Sequence, residues 1–160
     1  MAPDGRWPDD FEALRRGEGC PMCEPGADET PYGCRVFEGR VADGYLGRRP
    51  ARPGYAYVIW KGRHAAEPSE LSDEEAAVFW SEVARVARAV EDRYHSAKMN
   101  WLRLGNGVPH LHVHLVPRPF DDPRAGWPLE TEAFDLSVVP ELDPARLARE
   151  AAALRSLLGQ

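Results

Sequence analysis

Along most of this chain apolar residues recur either at every second position or at every third to fourth, and each change of period marks a new element. Residues 35–41 and 45–49 alternate as short strands about an Asp43-Gly44 turn signal. Pro53-Gly54 marks another turn. The run Tyr55-Ala56-Tyr57-Val58-Ile59-Trp60 after it carries the aromatic and branched residues that suit a pleated surface. From Ser72 the period lengthens: Ala76, Phe79, Val83, Val86, Ala87 and Val90 fall on one helical face, with Glu82, Arg85, Arg88 and Glu91 mostly on the other. Ser72 and Glu75 have the spacing of a capping box, which fixes the start of that helix.

Residues 99–104 and 110–116 read as two further strands joined by a tight Gly105-Asn106-Gly107 turn. A last helix is expected with Asp143 as its cap and Pro144 in first position, burying Leu147, Ala151, Leu154 and Leu158. Strands, a helix, strands and a helix imply an α+β fold: a mainly antiparallel sheet of about five strands, one long helix and a C-terminal helix. Residues 1–17 are polar apart from Trp7, Phe11 and a few small or aliphatic side chains, and read as an N-terminal tail. Residues 18–160 are expected to form a single domain, long enough to bury a real core.

Charge and composition narrow the partners. Apolar residues make up 43% of the chain and the net charge is −6, so there is no overall attraction to nucleic acid or to anionic lipid. No apolar run approaches the roughly 20 residues needed to span a bilayer. Residues 1–11 carry acids and prolines where a signal peptide has a basic start and an apolar stretch. The expectation is a cytoplasmic protein with neither a nucleic-acid nor a membrane partner. Three cysteines in a reducing compartment argue against a disulfide framework.

The densest chemistry lies in Pro109-His-Leu-His-Val-His-Leu-Val-Pro-Arg-Pro119, where His110, His112 and His114 alternate with apolar residues. Side chains of a strand point alternately to its two faces, so the three imidazoles would share one face and Leu111, Val113 and Leu115 the other. Three readings follow. The row could be surface histidines without a role. It could hold one metal ion, although the outer pair would lie roughly 13 Å apart on a regular strand. Or the rings could divide the work, one attacking phosphorus while its neighbour donates a hydrogen bond or proton.

The run His110-Leu-His-Val-His-Leu-Val116 resembles the signature of the histidine-triad (HIT) superfamily. The stretch from Gly54 to His64 is similar to that family's strand ending in a basic-basic-His segment, and the helix after Leu71 follows in the expected place. The resemblance covers about residues 19–119. It implies a nucleotide hydrolase or nucleotidyl transferase, in which His112 would attack the α-phosphorus and form a covalent nucleotidyl-histidine. His114 would orient the phosphate or donate a proton near the leaving group. Asn106 and Gly107 are candidates to meet the phosphate oxygens, with Arg118 a further one. Asn106 can equally be a turn residue between two glycines. Implied substrates are dinucleoside polyphosphates such as diadenosine tetraphosphate, nucleoside phosphoramidates or AMP conjugates. A non-catalytic nucleotide-binding module is the other reading, and family members are frequently homodimers.

Cys20-Pro-Met-Cys23 has the spacing of half a zinc site. Cys34 has no partner at motif spacing, and His64 and His110 are the natural completers. Some HIT proteins pair such a motif with two histidines, the first of the triad among them, so the resemblance implies structural Zn2+ on Cys20, Cys23, His64 and His110. Two buried reduced cysteines are the plainer alternative. The sequence also departs from the family. Tyr55 follows the Pro53-Gly54 turn where many members have a further histidine, the stretch from Leu104 to Pro109 is short, and Leu46-Gly47-Arg48 stands where an acid usually holds ribose hydroxyls. Arg48, Arg49, Arg52 and Arg63 could reach a polyphosphate or could simply be solvated.

Overall fold

A 22-residue amphipathic helix laid across one face of an antiparallel sheet organises the molecule. A computed structural model of the chain describes residues 6–24, 26–50, 52–129 and 139–160, so the first five residues of the expected tail lie outside the description. The elements are α1 (Phe11–Arg15), β1 (Gly33–Glu38), β2 (Ala42–Gly47), β3 (Ala56–Trp60), α2 (Asp73–Tyr94), β4 (Lys98–Leu102), β5 (His112–Arg118) and α3 (Pro144–Leu158). The sheet runs in the order β1-β2-β3-β5-β4, every neighbouring pair antiparallel. This is the α+β architecture that the periodicity implies.

Helix α2 begins where the capping pattern puts it: the Ser72 hydroxyl accepts from Glu75 N at 3.2 Å and the Glu75 carboxylate accepts from Ser72 N at 2.8 Å. Phe79, Val83, Val86 and Val90 then point into the sheet and are fully buried. They meet Val36, Leu46, Val58, Val113 and Leu115, while Leu147, Ala151 and Leu154 of α3 close the same core from the side. The Asp143 carboxylate caps α3 by accepting from Arg146 N at 2.9 Å. Within α1, in the stretch expected as tail, Leu14 is buried.

Two strand boundaries differ from expectation, each because of a contact distant in sequence. Asp43-Gly44 is not a turn but lies inside β2, where Gly44 packs under Val86 and Phe37. The chain reverses at residues 39–41 instead. There the Glu82 carboxylate of α2 accepts from Arg40 N at 2.6 Å and Val41 N at 3.1 Å, and a Cβ on Gly39 would collide with that carboxylate. The connection between β4 and β5 is likewise not a tight turn but spans residues 103–111. Leu111 leaves the strand ladder to bond Ala65, its N–H donating to that carbonyl at 2.7 Å.

The sheet's second face is built from Tyr45, Tyr55, Tyr57 and Val116, with Tyr45 and Tyr57 stacked 5.2 Å apart. Because β5 alternates, Val113 and Leu115 enter the helical core while His112 and His114 emerge among these tyrosines. The fold thus delivers two of the triad rings to one surface. Among the described residues no helix is long and apolar enough to cross a membrane.

Candidate active site and metal centre

His112 stands at the start of β5 opposite Ile59 and is almost fully buried. Its Nδ1 lies 2.7 Å from the carbonyl oxygen of His110. A carbonyl can only accept, so Nδ1 carries the proton and the lone pair sits on Nε2, as a nucleophile requires. Burial is the largest influence on this ring and holds its pKa down at about 4, while the bond to His110 pulls the other way and Arg103 adds to the depression. At neutral pH the ring is therefore uncharged and able to attack.

His114 faces Tyr57 on β3 and Leu102 on β4. Its ring centroid is 4.8 Å from that of His112, edge to face. Its Nδ1 lies 2.7 Å from the Tyr55 hydroxyl, with the two rings stacked. Burial first, and the neighbouring His112 second, lower the pKa to about 3. Two uncharged imidazoles side by side suit a nucleophile and a hydrogen-bond donor.

His110 does not share their surface. It precedes β5, and its ring turns toward the cysteine loop, with Nδ1 3.4 Å from Cys20 Sγ and 3.6 Å from Cys23 Sγ. His64 Nδ1 is 3.3 Å from Cys23 Sγ. The ligand atoms of Cys20, Cys23, His64 and His110 all lie within 4.8 Å of one another, a group that could hold a metal ion. The far nitrogens are held by backbone: His110 Nε2 donates to Trp60 O at 2.8 Å and His64 Nε2 to Arg15 O at 3.1 Å. Those carbonyls leave both Nδ1 lone pairs aimed into the cluster, the usual way a histidine ligand is oriented. A tetrahedral ion with bonds of about 2.0–2.3 Å needs ligands roughly 3.4–3.8 Å apart, close to the three sulfur–nitrogen distances of 3.3, 3.4 and 3.6 Å. Burial and the adjacent Cys20 thiol push the Cys23 thiol up to about 11, so a cation is what would favour its thiolate. Since His110 points at the cysteines and His112 at a carbonyl, the three triad rings do not converge on one ion.

The remaining candidates separate. Asn106 is exposed and Gly107 half-buried in the connection before the triad, and the left-handed residue there is Gly105, over which the Arg103 guanidinium lies. Arg118 is a correction. It is buried, and its guanidinium is engaged by Asp122, by Asn100 Oδ1 at 2.9 Å, by Trp127 O at 3.1 Å and by Arg124 O at 2.7 Å. It ties down the segment after β5 instead of meeting a phosphate. Arg48 pairs with Glu29, Arg49 with Glu141 and Arg63 with Glu75, while Arg52 lies 4.0 Å from Asp122.

Two site residues were missed from sequence. Tyr55 could have been found from its place after the Pro53-Gly54 turn. Arg103, which acts on His112 and forms an ion pair with Glu67 at 3.1 Å, had no local signal.

The depressed His114 pKa has a measurable consequence. Above the usual 6.5 the ring is neutral whether the chain is folded or not; below it the unfolded chain takes up a proton that the folded ring refuses until about 3. Stability is therefore full above 6.5 and falls as pH drops through this window, by about 2 kcal/mol or less between 6.5 and 5. Urea unfolding midpoints should drop over this interval, and drop less in His114→Asn.

Comparison with known proteins agrees with this geometry. The HIT domain family model matches residues 44–121. The adenosine 5'-monophosphoramidase of Schizosaccharomyces pombe is 30% identical over 112 residues, 68% of this chain and 83% of that protein. A histidine triad protein from Bradyrhizobium japonicum superposes with a TM-score of 0.70 at 22% identity, covering 86% of this chain and 99% of that one. A Zn-bound histidine triad family protein from Mycobacterium smegmatis does so with a TM-score of 0.58 at 25% identity, over 92% and 91% of the two chains. The chain, with its paired imidazoles on β5, belongs to the HIT family.

Proposed function

We propose that the protein is a nucleotide hydrolase that cleaves at the α-phosphate of nucleoside phosphoramidates, AMP conjugates or dinucleoside polyphosphates through a nucleotidyl-His112 intermediate. The observation that carries this reading is the bond from His112 Nδ1 to the His110 carbonyl, which leaves Nε2 nucleophilic. Kinship with an adenosine 5'-monophosphoramidase supports a nucleotide substrate.

In this reaction the Nε2 lone pair forms a bond to phosphorus. The bond from phosphorus to the leaving atom breaks with its electron pair on that atom, which takes its proton from water. Positive charge gathers on the His112 ring as it bonds, and the His110 carbonyl facing Nδ1–H stabilises it. His114 donates a hydrogen bond toward the departing atom. Asn106 and Gly107, in the connection leading to the triad, offer an amide and a backbone N–H to the phosphoryl oxygens. A water then bonds to phosphorus and returns a proton to solvent while the bond from phosphorus to Nε2 breaks with its electron pair on His112, releasing the nucleoside monophosphate and the free imidazole.

Zinc is the ion proposed for Cys20, Cys23, His64 and His110, supported by the two-sulfur, two-nitrogen donor set and by the Zn-bound relative. Four protein ligands leave no open position, so the ion would cross-link the cysteine loop to the chain before β5 without activating water. A homodimer is proposed across the edge of the sheet. Among the described residues β4 pairs with β5 alone, and the half-exposed Trp101 on β4 stacks 6.4 Å from Trp80 on α2, giving an apolar surface at that edge.

Three outcomes are expected. Replacing His112 with Ala should lower hydrolysis about 10³-fold or more across a substrate panel, and should abolish the nucleotide adduct that mass spectrometry detects on the wild-type chain after rapid quench. Undiminished turnover in that variant refutes the assignment, and nucleotide recovered on added phosphate or a sugar phosphate makes the protein a transferase. Elemental analysis should find about one zinc per chain; Cys23→Ser should lose it and melt earlier, while His112→Ala keeps it. Light scattering should give a dimer that Trp101→Lys converts to monomer, and a monomeric wild type at micromolar concentration removes the dimer proposal.

A further inference from the structure

Tyr55, just before β3, is buried and closely held by its surroundings. It follows a turn in which Gly54 has φ +83 and lies directly against the ring of Tyr94, so a side chain does not fit there. Its carbonyl accepts from Gly47 N at 2.8 Å and its N–H donates to Arg52 O at 3.0 Å. Its ring covers Gly47 so closely that a Cβ at that position would overlap ring atoms. Tyr57 flanks it at 6.2 Å and His114 at 5.9 Å, the latter nearly parallel. Two glycines and two aromatic neighbours thus hold the phenol oxygen 2.7 Å from His114 Nδ1.

We propose that Tyr55 is a positioning residue for the reaction, its hydroxyl donating to His114 Nδ1 and thereby fixing the N–H of that ring on Nε2. This rests on the reading of His114 as the hydrogen-bond donor at the leaving atom. A phenol O–H is a far stronger acid than a neutral imidazole N–H, and imidazole nitrogen is the better acceptor, so the bond runs from tyrosine to histidine. Burial raises the Tyr55 phenol above its usual range and keeps it an O–H. A neutral imidazole has one proton to place, and with Nδ1 accepting, that proton lies on Nε2, on the far side of the ring from Tyr55. His112 and His114 are then held as opposite tautomers. The His110 carbonyl leaves a lone pair on Nε2 of one ring, and the Tyr55 hydroxyl leaves a donor on Nε2 of the other.

The test uses the full chain in two arms. Nitrogen-15 spectra of the wild-type histidines at neutral pH should show His114 protonated at Nε2 and bare at Nδ1, and in Tyr55→Phe the two tautomers should mix. In parallel, kcat and KM are measured for an AMP phosphoramidate, whose amine leaves poorly, and for the p-nitrophenyl ester of AMP, whose phenolate leaves well. Tyr55→Phe should lower kcat about tenfold on the amine and less than about threefold on the ester, with KM within about twofold, since a donor at the leaving atom matters most where charge builds up there. A wild-type His114 protonated at Nδ1, or a loss of equal size on both substrates, or no loss, overturns the inference. If the wild-type chain hydrolyses neither compound and forms no adduct on His112, the functional reading fails, and the spectra still decide whether Tyr55 sets the tautomer.

Discussion

The carbonyl of His110 facing the ring of His112 is the contact on which the rest of the site depends. It exists because the chain is not yet in the ladder at residue 110: Leu111 bonds to Ala65 and Trp60, and regular pairing starts only at His112 opposite Ile59. The irregular step leaves the lone pair of the His112 ring on Nε2 and turns the His110 side chain toward the cysteine loop.

His110 is consequently shared by two systems. Its backbone oxygen holds the His112 ring, its Nε2 is fixed by Trp60 O, and its Nδ1 faces the two sulfurs. His64 repeats the pattern with Arg15 O, so α1, the cysteine loop and the chain entering β5 converge on one small cluster. An ion there would stiffen the backbone at residue 110. Its influence on chemistry would thus pass through position and not through charge transfer.

How much of this was legible depends on how local the cause is. The starts of α2 and α3 were readable because Ser72 with Glu75, and Asp143 with Pro144, determine helix ends within a few residues. The grouping of Cys20, Cys23, His64 and His110 was readable because cysteine and histidine are scarce here and serve little else in that pattern. The turn at residues 39–41 was not, because Glu82, some forty positions away, holds it. Arg118 shows the same limit. Its place beside the triad suggested phosphate, but Asp122, Asn100 and two carbonyls claim its guanidinium, and nothing in the run of residues 110–119 reveals them. Tyr55 was visible only as a departure from a family pattern; the register of β3 against β5 gives it meaning.

The strict alternation of β5 also separates two kinds of sequence change. Its inward residues, Val113 and Leu115, are completely enclosed, while the outward ones are the imidazoles of His112 and His114. Substituting a side chain on either face leaves the other where it was. Adding or removing a single residue within 112–116 would exchange the faces, sending imidazoles into hydrocarbon and aliphatic groups toward the tyrosines of the other face. Length variation among relatives is therefore expected to accumulate in the 103–109 connection, while the strand itself drifts in composition and never in count.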